Sequence, residues 1–282
     1  MDYALELKNV TKRYGDFVLD NIGLSLPNGC IMGLIGENGA GKSTTIKLIL
    51  DLIRRDGGFI NVLGRDNKRD PKSLKENIGI VMDESCFPEN LTVKDVNTIM
   101  KNIYRTWDEG VFRSYIRRFS LPEGKIVKDY SRGMKMKLAI ATALSHDSRL
   151  LILDEATSGL DPVVRDEILD VFLDFIQDEG HSIFMSSHII SDLEKICDYI
   201  AFIHQGKLVF SQPKDELLES YGLLKCSPAE LRAIDPSAVK GLRKNEFGVE
   251  ALVLKNRLKG NHVIDRAGIE DIMLYHIKEN AL

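Results

Sequence analysis

The chain is poor in several features that would narrow its role at once. Its four cysteines, Cys30, Cys86, Cys197 and Cys226, are widely spaced, and none belongs to a C-x-x-C pair. That argues against a disulfide framework and a thiolate zinc site, and for reduced thiols. There is no excess of basic charge. The 38 Lys and Arg stand against 42 Asp and Glu, for a net charge of −4. Such a balance leaves no electrostatic footprint for nucleic acid, and none is expected as a partner. No apolar run approaches the roughly 18 residues of a membrane span. The first residues, Met1-Asp2-Tyr3-Ala4-Leu5-Glu6, carry no basic segment leading into an apolar one, so no signal peptide is expected. Internal repeats and low-complexity tracts are missing too. What remains is 282 residues, 44% hydrophobic and 28% charged. That is an ordinary soluble composition, long enough for one large domain or one domain plus an appendage.

One stretch organises the rest. Gly36-Glu37-Asn38-Gly39-Ala40-Gly41-Lys42-Ser43-Thr44 fits G-x-x-x-x-G-K-[ST]. Ile31 to Ile35 precede it as an apolar strand, and Thr45 to Leu50 follow with a helix-compatible pattern. In that context the glycines turn the backbone tightly and aim successive N–H groups inward as an anion nest. The helix N-terminus adds unpaired N–H groups and a positive dipole end. Lys42 is expected to reach the outer phosphates of a nucleotide and Ser43 to ligate Mg²⁺.

Other strands end on charge. Ile78 to Met82 run into Asp83 and Glu84, and Leu150 to Leu153 run into Asp154 and Glu155. Continuous apolar strands of this kind are buried in parallel sheets, and ligands bind at the carboxyl edge of such sheets. Beside a phosphate loop, Asp154 is expected on Mg²⁺. Glu155 is expected to polarise an attacking water. Ser182 to Ser186 read as a further strand that delivers His188 to the same edge.

Elsewhere the pattern sorts into elements. Leu5 and Leu7, and then Ile22, Leu24 and Leu26, alternate as half-buried strands around a turn-rich loop at Thr11–Asp16. Tyr14 in that loop either stacks on a base or is a plain surface or half-core tyrosine. Val93 to Phe119 read as a helical insert whose aromatics form a small core of their own. Ser131 caps the helix that follows, or with Gly133 makes a second anion site. Val163 to Glu179 read as a helix stopping at Gly180, and Ile200–Ile203 with Lys207–Phe210 as a hairpin. A boundary is expected at Ser211, with a small α+β appendage beyond it that contains a strand over Val249–Leu254 and a final helix.

Taken in order, these motifs resemble the ATP-binding subunit of an ABC transporter over about residues 2–210. Tyr14 matches the adenine-stacking aromatic, and Gly36 to Thr44 match Walker A. Ser131-Arg132-Gly133-Met134 and Lys135 match the signature, and Leu150 to Asp154 match Walker B. Glu155 matches the catalytic glutamate, Ser158 to Asp161 the D-loop and His188 the switch histidine. Three positions depart. Asp83 stands at the Q-loop glutamine, with Glu84 as a possible substitute for its Mg²⁺ contact; Arg132 and Met134 replace Gly and Gln in the signature; Ala156 replaces the usual Pro.

The resemblance implies an α/β P-loop NTPase of ABC type with an antiparallel β subdomain. It places the ATPase domain at 1–210, a helical subdomain at about 85–140 and an appendage at 211–282. It implies ATP with Mg²⁺, sandwiched head to tail with a second ATPase subunit, the same or related, so that the signature acts in trans. It also implies a separately encoded transmembrane permease and a position at the inner face of the membrane. Within the family the chain is similar to ABC-2-type exporter subunits of the bacitracin kind. A soluble ABC-type ATPase on a macromolecular assembly, and a nucleotide-binding regulator, are the alternatives.

Overall fold

The computed structural model describes residues 3–69, 71–83, 87–246, 248–260 and 262–279. Glu84 and Cys86 lie outside them. The chain divides into two compact units, Met1–Phe210 and Ser211–Leu282.

The first unit is threaded in chain order as β1 (Tyr3–Tyr14), β2 (Phe17–Pro27), β3 (Ile31–Ile35), α1 (Lys42–Ile49), β4 (Gly57–Val62), β5 (Arg65–Asp66), α2 (Pro71–Lys75) and β6 (Ile78–Val81). Then come α3 (Val93–Ile103), α4 (Glu109–Arg118), α5 (Arg132–Ala143), β7 (Leu150–Asp154), α6 (Pro162–Phe175), β8 (Ser182–Ser186), α7 (Ile190–Ile196), β9 (Tyr199–His204) and β10 (Lys207–Pro213). Among the described residues the strands form one sheet in the order β5-β4-β1-β2-β10-β9-β3-β8-β7-β6.

Sequence pattern separates the two halves of this sheet. β1, β2 and β4 alternate and pair antiparallel. β3, β7 and β8 are buried along their whole length. They pair parallel with one another and with β6 and β9, as continuous apolar strands do when both faces are covered. Because these strands run the same way, their carboxyl ends share one edge. The core between the halves includes Leu5, Leu7, Ile22, Leu26, Met32, Leu34, Ile46, Ile152 and Phe184.

Two expectations needed correction. Thr11 to Tyr14 are not loop but the end of β1, which turns at Gly15–Asp16 into β2, pairing Tyr14 with Phe17. Register shifts around Val10, beside Asn9 at a φ of 53°, let β1 keep pairing past the point where its alternation breaks. α6 ends at Phe175, four residues before Glu179.

The helical insert is capped by its own sequence. The Thr92 hydroxyl accepts from Asp95 N, while the Asp95 carboxylate accepts from Thr92 N, a reciprocal capping box at the start of α3. Asp108 caps α4 through Val111 N at 2.9 Å. Trp107 and Phe112 pack at 5.1 Å and Tyr115 and Phe119 at 5.9 Å, so these aromatics serve a local core.

Tyr104 instead stacks on His146 beyond α5, with ring centroids 3.9 Å apart. His146 Nδ1–H donates to the Glu76 carbonyl at 2.9 Å, and the ring is buried. Burial disfavours the imidazolium and holds the His146 pKa below its ordinary 6.5. The unfolded chain therefore takes up a proton near that value while the folded chain does not, so stability falls as pH drops through it. Melting followed from about pH 7 to about pH 5 should show a His146-dependent loss of at most about 1.4 kcal/mol per pH unit. His146→Gln should flatten that part of the slope. An unchanged slope in the variant would contradict the assignment.

The second unit holds α8 (Lys214–Ser220), β11 (Tyr221–Cys226), α9 (Pro228–Arg232), β12 (Val239–Asn245), β13 (Gly248–Leu254), β14 (Ile264–Arg266) and α10 (Ile269–Glu279). Its antiparallel sheet, ordered β12-β13-β11-β14, has Leu224, Ile234, Ala238, Ala251 and Val253 in its core. Across the whole chain, no helix among the described residues is long and apolar enough to cross a membrane.

Candidate functional site

β3 runs directly into the Gly36–Gly41 loop, and α1 begins at Lys42. Two glycines explain why the loop closes. At Gly36 a Cβ would stand 2.3 Å from the Ile203 carbonyl oxygen on β9, so a side chain would force the loop off the sheet. Gly41 precedes α1 with a φ of 114°, which L-residues avoid. α1 has no acidic residue in its first turn and no side-chain cap, so its amide groups and dipole are left for an anion.

Lys42 is buried, and its Nζ donates to Gly36 O at 2.8 Å and Glu37 O at 3.3 Å. The same ammonium lies 3.5 Å from Glu155 Oε1. Ser43 Oγ donates to Asp154 Oδ1 at 3.3 Å, which joins the loop to the end of β7. The other Glu155 oxygen accepts from His188 twice, from Nδ1 at 2.6 Å and from the backbone N–H at 3.3 Å. Glu155 thus bridges Lys42 and His188. It holds a positive φ of 52°, uncommon outside glycine. Its backbone is pinned there by Ser186, whose carbonyl and hydroxyl accept from Glu155 N at 3.1 and 3.2 Å. Ser186 Oγ also donates to Asp154 Oδ1 at 2.6 Å.

A cleft of about 400 Å³ opens over this edge, lined by Lys42, Ser43, Thr44, Asp83, Glu155 and His188 with Glu37, Asn38 and Gly39. Gly36 and Ala40 face the sheet instead, and the Ala40 carbonyl accepts from Gly206 N at 3.0 Å. Asp154 is buried just beneath. Tyr14 is not among the lining residues; it is 44% exposed, with Lys12 Nζ 5.1 Å from its ring centroid. Phe17, its partner across the hairpin, lines the cleft.

Ser131, Arg132, Gly133, Met134 and Asp161 line a second cleft of about 370 Å³. There the Ser131 hydroxyl accepts from Met134 N at 3.3 Å, and Asp161 caps α6 through Val163 and Val164. Arg132 Nη2 donates to Asp83 Oδ1 at 2.5 Å, so Asp83 is paired with Arg132 and not with Ser43 or Asp154. The donor set at the first cleft fits Mg²⁺. One hydroxyl and one carboxylate, both hard oxygens, stand together at the phosphate loop, and Mg²⁺ takes few protein ligands beside water and phosphate oxygens. Among the described residues no cluster of three His, Cys, Asp or Glu offers a competing metal cage.

The ABC transporter family model matches residues 19–158. The bacitracin transport ATP-binding protein BcrA of Enterococcus faecalis is 37% identical over 74% of this chain and 69% of its own. The chain belongs to the ABC transporter family. It is an ATP-binding subunit of a transporter, and an ATPase. A second relative extends beyond the ATPase core. The Nod factor export ATP-binding protein I of Burkholderia orbicola (strain AU 1054) is 30% identical over 96% of this ABC subunit and 95% of its own length. The solved structure of an ATP binding subunit of an ABC transporter superposes with a TM-score of 0.70 and 26% identity, covering 77% of this chain and 92% of that one.

Two residues of this ABC subunit escaped the sequence reading. Phe17 was hidden because its place in the cleft depends on where the hairpin turns. Ser186 looked like one more small residue ending a strand. Its only sequence signal is its position just before Ser187-His188.

Proposed function

We propose that this subunit hydrolyses ATP for an exporter, as two copies arranged head to tail at the inner face of the membrane, driving a separately encoded membrane subunit. Residues 1–210 do the ATPase work, with the helical subdomain at about 85–140, and 211–282 form an appendage. The supporting observation is that Lys42, Ser43, Glu155 and His188 meet over one cleft while Ser131 and Gly133 line another. One chain thus carries two unlike halves, and a head-to-tail pair brings each half against its complement twice.

The roles follow from the contacts. Ser43 and Asp154 would hold Mg²⁺, which supplies charge neutralisation at the phosphates. Lys42 moves from the loop carbonyls to the outer phosphates. Glu155 orients the attacking water, and His188 turns its ring N–H from Glu155 to the γ-phosphate, where it donates to an oxygen. Ser131 and the first N–H groups of α5 in the second copy donate from the other side, where a single chain leaves the γ-phosphate open to water.

Export is supported by the relatives named for bacitracin transport and Nod factor export. The membrane subunit has a seat on the helical subdomain. An apolar groove of about 410 Å³, lined by Met82, Phe87, Ile99, Met100, Ile103 and Tyr104, borders the Asp83 loop. We assign it to a short apolar helix of that subunit, because Met82 in the groove and Asp83 in the nucleotide cleft are consecutive residues. Ile103 is 56% exposed there. Ile103→Asp should abolish co-purification with the membrane subunit while phosphate release by the isolated chain stays at the wild-type rate. Undiminished co-purification would remove the groove from the account.

A further inference from the structure

We infer that Arg132 is a positioning residue acting within its own chain: it ties the Asp83 carboxylate at the nucleotide cleft to the start of α5 and the Gly159 turn, so that the two clefts of one chain respond together. The inference rests on reading the clefts as the two halves of an ATP site.

Asp83 lines the first cleft and Arg132 the second. Arg132 Nη2 reaches Asp83 Oδ1 at 2.5 Å. The remaining face of the guanidinium lies on Gly159. A Cβ built there would stand 3.3 Å from Arg132 Cζ and Nη1 and 3.4 Å from Nε. Near-equal distances to three atoms of the plane mean that the guanidinium lies across the bare Cα. Gly159 has a φ of 67°, so both its backbone and its lack of a side chain suit this contact. The planar fork thus meets a carboxylate with one edge and a turn with one face. A lysine ammonium, a point charge on a flexible stem, offers neither the fork nor the face.

The pairing also gives Asp83 a role. Its carboxylate oxygen is engaged by Arg132, while Ser43 and Asp154 bond each other. Asp83 is then the anchor for Arg132 and not a ligand for Mg²⁺. Both side chains are about half exposed, at 49% for Asp83 and 51% for Arg132. The tie is therefore weak enough to yield when the clefts rearrange. Exposed pairs contribute at most about a fivefold effect on an equilibrium.

The test uses the full chain, dilute enough to be monomeric, in four forms beside wild type: Asp83→Asn, Arg132→Gln, the two together, and Arg132→Lys. Two quantities are read. One is the Mg²⁺ concentration for half-maximal binding of a fluorescent ATP analogue. The other is the change in hydrogen exchange of the peptide spanning residues 131–135 when that analogue binds at the Lys42 cleft. We expect the Mg²⁺ midpoint to stay within about twofold in all four, since no metal ligand is lost. A lost ligand or its support costs about tenfold or more. We expect the exchange response to fall by about three- to fivefold in each single variant, Arg132→Lys included, and to fall no further in the double variant. A tenfold rise in the midpoint for Asp83→Asn alone would overturn the inference, as would additive losses in the double variant or a wild-type response from Arg132→Lys. Neither readout requires a dimer, so failure of the head-to-tail reading would show separately, in the measurement that closes the Discussion.

Discussion

Glu155→Gln should lower ATP turnover by about 10²- to 10⁴-fold, the range for removal of a positioned general base, with nucleotide affinity kept. The carboxylate sits between Lys42 Nζ at 3.5 Å and His188 Nδ1 at 2.6 Å. A carboxamide has the same shape and can still accept from His188, so the cleft keeps its form. It lacks the charge needed to draw a proton from water. With ATP bound and not consumed, the second copy has no cause to leave, and the variant should accumulate as an ATP-bound dimer. Phosphate release and size-exclusion chromatography with Mg²⁺ and ATP check both halves of the expectation. Turnover at the wild-type rate would take the water-orienting role away from Glu155.

Lys42→Ala should fail one step earlier, at binding. Its ammonium is buried and held by two loop carbonyls and the Glu155 carboxylate. A charge-assisted hydrogen bond contributes about 1.5–3 kcal/mol, so losing it from the phosphates should weaken MgATP binding by about ten- to a hundredfold. The deletion also leaves the half-buried Glu155 carboxylate beside the phosphate charge without the Lys42 cation. Equilibrium titration with a fluorescent ATP analogue measures the loss. Tight binding by Lys42→Ala would undo the phosphate-loop reading, whereas tight binding by Glu155→Gln is what that reading requires.

How much of this could be read from residues depended on range. The phosphate loop was legible because its constraint is local: glycines where the backbone bends, an apolar strand before and a helix after. The buried strands ending on Asp83, Asp154 and His188 were legible because full burial demands an unbroken apolar run, and a run that stops at a charge marks the sheet edge. The Thr11–Tyr14 strand was not, since a register shift near Val10 breaks the alternation that advertises a strand. The end of α6 was missed because Ile176 to Glu179 have compositions a helix accepts, and nothing before Gly180 marks the stop at Phe175. Contacts between distant segments were the least visible. Ser186 bonding both Asp154 and Glu155, and Arg132 reaching Asp83 across 49 residues, are set by how elements pack.

The central claim is that one chain holds two halves of a site and a second copy completes it. Mixing two inactive variants tests this directly. Lys42→Ala disables the phosphate loop. Gly133→Asp disables the signature by placing a carboxylate where a phosphate would bind. It should leave the fold intact, since a Cβ there meets Val164 Cγ1 only at 3.4 Å and acidic residues suit the first turn of a helix. Each variant alone should release almost no phosphate. In an equimolar mixture of interchangeable copies, half the pairs are mixed, and each mixed pair has both defects in one site and none in the other. The account predicts recovery of about a quarter of wild-type phosphate release. A mixture as inactive as its components, although the chains pair, would contradict it.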